Sequence, residues 1–453
     1  IEWGGHRVTY IDIASQAVSV FAGSGVAGAT DGVGGDATFN APDCVAVSPD
    51  GTTAVVCDQL GHRIRAISMS TRVVTTVAGS GVAGHVDGVG SGSQVHTPIG
   101  VAFDPTGDSS WVVVGDQTSV RVVDLVTQQV TTIAGLLGTI GNAVGSGSAT
   151  RLDNVAGLEF SRDGSVLYVA DLVNNVIKTI DMCPTKCKAV CGAGYYATVN
   201  GSCGTDAYPY PKCSSCGNNF TSGVGSYQQG DCSCMDGHYL HGDECVACDK
   251  ACGVGEYENQ ACTGSTNRVC VEGITCPAGA FDVSGAPNSV GWLAGSRSGV
   301  AGYVNGWSNV ARFNLVRAPS MMLDGITLLV ADQLNHAIRS INTVTLEVTT
   351  LAGTGGAGWV DGVGTSAVFN SPTGVCVSVD GLRAYVAEYS SHRVRAIEIS
   401  TKTVSTLAGN GVQGSTSGIG AAASLNHPHD VAVTPDGLGL LVIEWGGTLE
   451  IST

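Results

Sequence analysis

An all-β fold is what this sequence predicts, and three observations carry that expectation. Apolar runs of five to seven residues alternate with polar positions at the two-residue period of strands, and nothing shows helical periodicity. Glycine is very frequent, at 65 of 453 residues, and Asp-Gly pairs separate the runs as hairpin punctuation. One pattern recurs along the chain at a step near 56 residues.

The recurring mark is Ala-Gly after a β-branched run, at Ala22, Ala78, Ala134, Ala294, Ala352 and Ala408. The steps are 56, 56, 160, 58 and 56 residues, so there are six copies and one insertion. After Ala-Gly comes a Gly-rich loop such as GSGVAGHVDGVG, then a short apolar strand and a turn, as in CVAVSPDG and VAVTPDG. A second strand ends on an acid, at Asp58, Asp116, Asp171, Asp332, Glu388 and Glu444. A third carries alternating bases, with Arg65, Arg339 and Arg395 in HRIRAI, HAIRSI and HRVRAI. A fourth leads to the next Ala-Gly. Four short antiparallel strands per copy, in six copies, predict a six-bladed β-propeller of four-stranded blades. Catalytic residues break a repeat and structural ones follow it, so the recurring acids and arginines read as ion pairs and turn bonds holding each blade.

The chain opens on IEWGG at Ile1 and repeats it at Ile443. Glu2 and Glu444 therefore share one phase, the end of a second strand. Residues 6–13 and 17–23 are expected to supply the outer strands of the blade whose inner strands are 430–434 and 439–444. Such a blade closes the ring and removes exposed edges. The third-strand segment occurs seven times, so one copy is surplus. It lies either outside the ring or in a continuation of the chain, which reads as a segment of something longer. The expected limits are propeller at 1–182, insertion at 183–276 and propeller again at 277–453.

The strings NAPDCVAVSPDG, YVADLVNNVIKTI, VADQLNHAIRSI and NSPTGVCVSVDG resemble the NHL-type propeller repeat. The resemblance covers residues 1–182 and 277–453. It implies the propeller fold and leaves function open, because NHL propellers include scaffolds, binding platforms and a few enzymes.

Fourteen of the 17 cysteines fall in the insertion, at Cys183, Cys187, Cys191, Cys203, Cys213, Cys216, Cys232, Cys234, Cys245, Cys248, Cys252, Cys262, Cys270 and Cys276. Such a density predicts a disulfide scaffold whose connectivity spacing does not give. Zinc on Cys213-x-x-Cys216 and Cys245-x-x-Cys248 is the alternative. CVACDKACGVGEYENQACTGSTNRVC resembles a tumour-necrosis-factor-receptor-type module, and CSCMDGHYLHGDEC resembles the end of an EGF-like module. Bridges imply an oxidising compartment. The sequons at Asn200 and Asn219 fit secretion with N-linked glycans. In the propeller, Cys44 and Cys57 flank the Asp50-Gly51 turn symmetrically, either as a cross-strand disulfide or as two buried thiols. Cys376 reads as a small core residue.

The net charge of −17 argues against nucleic acid and anionic membranes as partners. No apolar run reaches 18 residues, so no direct membrane insertion is expected. GSGVAG at Gly23–Gly28 matches a dinucleotide-binding string, yet DGVGG follows it rather than a helix, and the string recurs. It reads as a blade-to-blade loop. Asp31, Asp87 and Asp361 sit in D-G-x-G loops. Calcium needs six to eight oxygens and each loop offers one carboxylate, so these read as turn acids bonding nearby amides. His96, His427 and His429 lie where strands approach the expected channel, and they are the metal candidates. They come from blades 2 and 6 only, without an evident matching acid or Arg-Tyr set, so no cofactor and no catalytic residue is assigned.

The combined expectation is an extracellular or cell-surface assembly protein acting as an interaction scaffold for itself or other subunits. Gly/Ala/Val-rich repeats with a cysteine module also resemble subunits of flagellar mastigonemes, which would place it on the flagellar surface. Two alternatives stand beside this. A secreted metal-dependent hydrolase or lyase would show inward-facing polar residues that differ from blade to blade. A carbohydrate-binding propeller would show one aromatic per blade, whereas Trp111, Trp292, Trp307 and Trp359 fall at different phases and only Trp3 and Trp445 share one.

Overall fold

In the computed structural model the described residues are 5–107, 109–182 and 288–446, with the backbone of four short strands in the insertion. The chain divides into two compact units. The smaller, centred on residues 181–289, contains two antiparallel pairs: His238–His241 with Glu244–Ala247, and Glu256–Gln260 with Val269–Glu272. The insertion cysteines, Asn200 and Asn219 lie outside the described side chains.

The larger unit is a ring of six antiparallel sheets. Its inner strands are Pro42–Val47, Gly100–Phe103, Val155–Phe160, Val316–Met321, Pro372–Val377 and Pro428–Val433. Each packs beside the next, and the sixth packs beside the first. Glycines on three of these strands, Gly100, Gly157 and Gly374, permit this approach. A Cβ on Gly157 would lie 2.6 Å from Ala318 N, and one on Gly374 would lie 2.7 Å from Asp430 Cα. The second strands, such as Thr53–Asp58 and Gly439–Glu444, are buried on both faces and so read as continuous apolar runs. Phe39, Phe313 and Phe369 are fully buried beside these blades, each contributing roughly 1.5–3 kcal/mol.

Each sheet has five strands rather than the expected four. The fifth is a two-residue piece of the Gly-rich loop: Gly32–Val33, Gly88–Val89, Gly145–Ser146, Gly306–Trp307, Gly362–Val363 and Gly418–Ile419. It pairs with the fourth strand at the outer edge, as Gly32 does opposite Val74. Two residues are too few to display alternation, so the sequence reads them as loop. Short 3₁₀ turns are the only helices among the described residues, and no helix is long and apolar enough to cross a membrane.

The sixth sheet is built from both ends of the chain. Arg7–Asp12 runs antiparallel to Gly439–Glu444, with Arg7 opposite Glu444 and Asp12 opposite Gly439, and Ala17–Ala22 lies outside it. The expected closure of the ring is thus observed. The surplus seventh copy falls on residues 448–453, outside those described. In blade 3 the third strand, Val176–Asp181, pairs with Ser289–Gly295, so the insertion leaves and returns at adjacent strands.

The recurring ions tie each blade together. Arg65, Arg339 and Arg395 are fully buried and lie 3.1, 2.6 and 2.6 Å from Asp58, Asp332 and Glu388. Lys178 takes the position in blade 3, 2.7 Å from Asp171. The loop acids Asp31, Asp87 and Asp361 bind the third-strand arginines Arg65, Arg121 and Arg395 at 2.6–2.8 Å, instead of the nearby amides expected from a turn. They also reach threonines 45 residues on, such as Thr76 and Thr132. Two blades depart from the rule. Asp116 is 3.7 Å from Arg121 and holds Thr118 and Ser119 amides, and Glu444 accepts from Thr9 at 2.6 Å and from Ser415.

A second repeated device links neighbouring blades. His6, His62, His336 and His392 sit at φ 49–57° at the head of the third strand. The Nδ1 of each accepts the backbone N–H of the residue 35 positions on, in the next blade: Ala41, Thr97, Ser371 and His427 at 2.9–3.3 Å. Asn175 does the same with its amide oxygen for Leu315, at 2.7 Å. Asn and His are among the residues that tolerate this left-handed backbone.

Cys44 and Cys57 face each other across the first hairpin and form a disulfide. Reducing it, or replacing both residues by alanine, is expected to lower stability by about 2–4 kcal/mol, read as a drop in the urea midpoint. An unchanged midpoint would mean that the two thiols pack equally well unbridged.

Candidate functional site

The six inner strands converge on a channel holding a cavity of about 280 Å³. Eight residues before each turn glycine, these strands carry Asp43, Ile99, Ala156, Arg317, Thr373 and His429. All six line the cavity. This is the phase at which the repeat is broken: four polar side chains of different chemistry face two apolar ones. Three positions further in, Ala46, Ala102, Glu159, Ser320, Cys376 and Ala432 line the same space.

Arg317 comes from blade 4 and Asp43 from blade 1, on opposite sides of a six-membered ring. The arginine nonetheless spans the mouth, with Nη1 3.7 Å from Asp43 Oδ1. Its Nε donates to Gln333 Oε1 at 2.9 Å. His429 Nδ1 lies 3.5 Å from the same Asp43 oxygen and 3.3 Å from the Asp43 carbonyl. Asp430 accepts the Val45 N–H at 2.9 Å, and Glu159 accepts that of Met321 at 3.0 Å. Tyr389 packs edge-on to His429, 5.8 Å between centroids, and 5.8 Å from Trp445, whose Nε1 donates to Gln59.

Burial governs the titration of these groups. It pushes the carboxyls of Asp43 and Glu159 up to about 7 and that of Asp430 to about 6. Burial, then Arg317, holds the His429 imidazole well below its ordinary value, so the ring is neutral. The Tyr389 phenol rises to about 12, again by burial. The site thus offers a fixed cation, carboxylates that ionise near neutrality and a neutral imidazole, the means to bind a small polar molecule or move a proton.

The three histidines singled out from sequence are not brought together as one site. His96 packs against His85, with ring nitrogens 3.2 Å apart, and against His62. His427 packs between His392 and Tyr389, each 4.5 Å away, and burial lowers its pKa to about 4. Only His429 lines the cavity. Among the described residues no three His, Cys, Asp or Glu side chains converge to hold a metal ion. The acid and Arg-Tyr set missing from the sequence reading is present as Asp43, Arg317 and Tyr389. Aligning the inner strands on their turn glycines would have found the first two, because at that position the residue type changes in every blade. Cys376, read as core, is a half-buried free thiol lining the channel, and burial pushes it above the usual thiol range.

Comparison with known proteins agrees with the geometry of the ring. The NHL repeat family matches residues 369–397, which run from Phe369 through the second and third strands of blade 5. NHL repeat-containing protein 2 of Bos taurus is 42% identical over 79 residues, which is 17% of this chain and 11% of that protein. The Arabidopsis thaliana protein SUPPRESSOR OF QUENCHING 1, chloroplastic, is 28% identical over 188 residues, 40% of this chain and 18% of that protein. The chain therefore spans between a tenth and a fifth of the length of these relatives. Among solved structures, a structural genomics protein of unknown function from Bacteroides thetaiotaomicron superposes with a TM-score of 0.52 at 15% identity, covering 97% of this chain and 74% of its own. That likeness concerns the fold alone. The closed ring and the repeat match lead to one conclusion: this chain is a six-bladed β-propeller whose fifth blade carries an NHL repeat.

Proposed function

We propose that this propeller is an extracellular interaction scaffold that assembles with copies of itself or with other subunits, as in filaments of the mastigoneme kind. One observation carries the reading. The short fifth strand presents an apolar residue at the same outer position in five of six blades: Val33, Val89, Trp307, Val363 and Ile419, each 54–64% exposed. A single exposed apolar side chain is ordinary, but recurrence at one phase is a built feature. The Cys44–Cys57 disulfide and the cysteine density of residues 183–276 support an oxidising compartment. The sequons at Asn200 and Asn219 support N-linked glycans.

Electron microscopy of natively purified, non-reduced material tests the reading. Filaments or regular arrays are expected. They should be lost when Trp307, Val363 and Ile419 are replaced together by lysine, with the melting temperature kept. Discrete monomers in the unsubstituted protein would overturn it.

A further inference from the structure

We propose that the channel mouth binds a small zwitterion with an apolar side chain, of the aliphatic α-amino acid class. The cavity of about 280 Å³ approaches the lower limit of small-molecule sites. Asp43 is 3% exposed, yet its carboxylate makes no hydrogen bond to a described residue. Arg317 hydrogen-bonds only through Nε, and its Nη1 comes no closer than 3.7 Å to Asp43 beside the cavity. Other buried pairs in this molecule close to 2.6–3.1 Å. Arg121, also 3.7 Å from its strand acid, is satisfied by Asp87 at 2.6 Å and by two carbonyls. Asp43 and Arg317 have no such substitutes.

A largely buried cation and a buried anion held 3.7 Å apart, without a hydrogen bond between them, leave room for a ligand that meets both. An α-amino acid carries its ammonium and carboxylate on one carbon. The carboxylate fits the Arg317 fork, and the ammonium fits Asp43. A bare amine would meet the Arg317 charge, and a bare carboxylate would meet Asp43 and Asp430. Asp430 is already held by the Val45 N–H, which leaves Asp43 as the carboxylate free to pair. On the other side of the same ring Ile99 and Ala156 form an apolar wall with Leu172 packed against them, and this half receives an aliphatic side chain.

Calorimetric titration of the full chain tests this with three probes that share one isobutyl side chain. L-leucine carries both charges, 4-methylpentanoic acid lacks the ammonium, and isoamylamine lacks the carboxylate. Saturable binding of L-leucine is expected, with each analogue at least about tenfold weaker, the least expected when a charged partner is left unpaired. Arg317→Gln and Asp43→Asn should each weaken L-leucine at least about tenfold, with melting curves to report folding. The probe series uses the unsubstituted protein, so it decides the matter even if a variant fails to fold. Equal binding of isoamylamine makes this a cation site, and equal binding of 4-methylpentanoic acid makes it an anion site. Either outcome overturns the proposal, as does the absence of saturable heat with L-leucine at millimolar concentration.

Discussion

Arg395→Met is expected to lower the unfolding free energy of the propeller by about 3–5 kcal/mol, the range for breaking one partner out of a buried ion pair. Arg395 is fully buried, with Nη1 2.6 Å from Glu388 and Nη2 2.6 Å from Asp361. Its guanidinium also lies over the Phe369 ring, 5.4 Å from the centroid. Methionine keeps much of the apolar stem but leaves the Glu388 carboxylate buried without its cation. The second change, Glu388→Gln on that background, removes the stranded charge and should recover part of the loss, a non-additivity that a double-mutant cycle reads directly. Urea unfolding followed by tryptophan fluorescence is the measurement. A loss below about 1 kcal/mol, the value of an exposed pair, would show that this network is incidental to the blade.

The interblade histidines give the second large effect, and it depends on pH. Burial lowers the pKa of His62, His336 and His392 below 6.5. His96 and Arg63 add to this at His62, and Arg393 adds to it at His392. The unfolded chain therefore takes up protons that the native latch refuses, because a protonated Nδ1 no longer accepts the backbone N–H. Stability from the latches is fully present above 6.5 and is lost as pH falls through that value toward the folded pKa. Asp43 and Glu159, raised to about 7, act in the opposite sense: their stabilisation is greatest in acid and declines as pH rises to neutrality. The triple variant His62→Asn, His336→Asn, His392→Asn separates the two. It copies Asn175, which latches blade 3 to blade 4 without a titrating ring. Between about pH 7.5 and about pH 5, the original protein should lose stability relative to this variant. Equal slopes would mean that these imidazoles take up protons as readily in the native protein as in the unfolded chain, so that the latch carries no pH dependence. At neutral pH, His336→Ala alone should cost about 1 kcal/mol, the value of one hydrogen bond.

Much of the ring was legible because it repeats. Ala78 and its five equivalents set the period, and the shared phase of Glu2 and Glu444 identified the seam. What repeated in too few residues was missed: Gly88–Val89 is a strand only because Gln129 and Val130 lie beside it. The loop acid Asp31 was misread for a related reason. Its partners Arg65 and Thr76 are 34 and 45 residues away, beyond any local pattern. The site was hidden differently. Asp43, Arg317 and His429 lie far apart in sequence, and only the closed ring, together with the length of the arginine side chain, brings them to one mouth. Looking for what is common to the blades obscures a position where all six differ.

The seam in the sixth blade has a mechanical consequence. Arg7 and Glu444 stand opposite each other at the same end of their two strands. Tension applied outward through these points loads the ladder one rung at a time, starting with that pair, because antiparallel hydrogen bonds lie across the strands. The bonds open in sequence, as in a zipper, and never share the load as they would in shear. Under pull along the chain the ring therefore yields first at its own junction, while the other five blades still hold. The strength of the closed propeller under load is set by the six residues from Arg7 to Asp12.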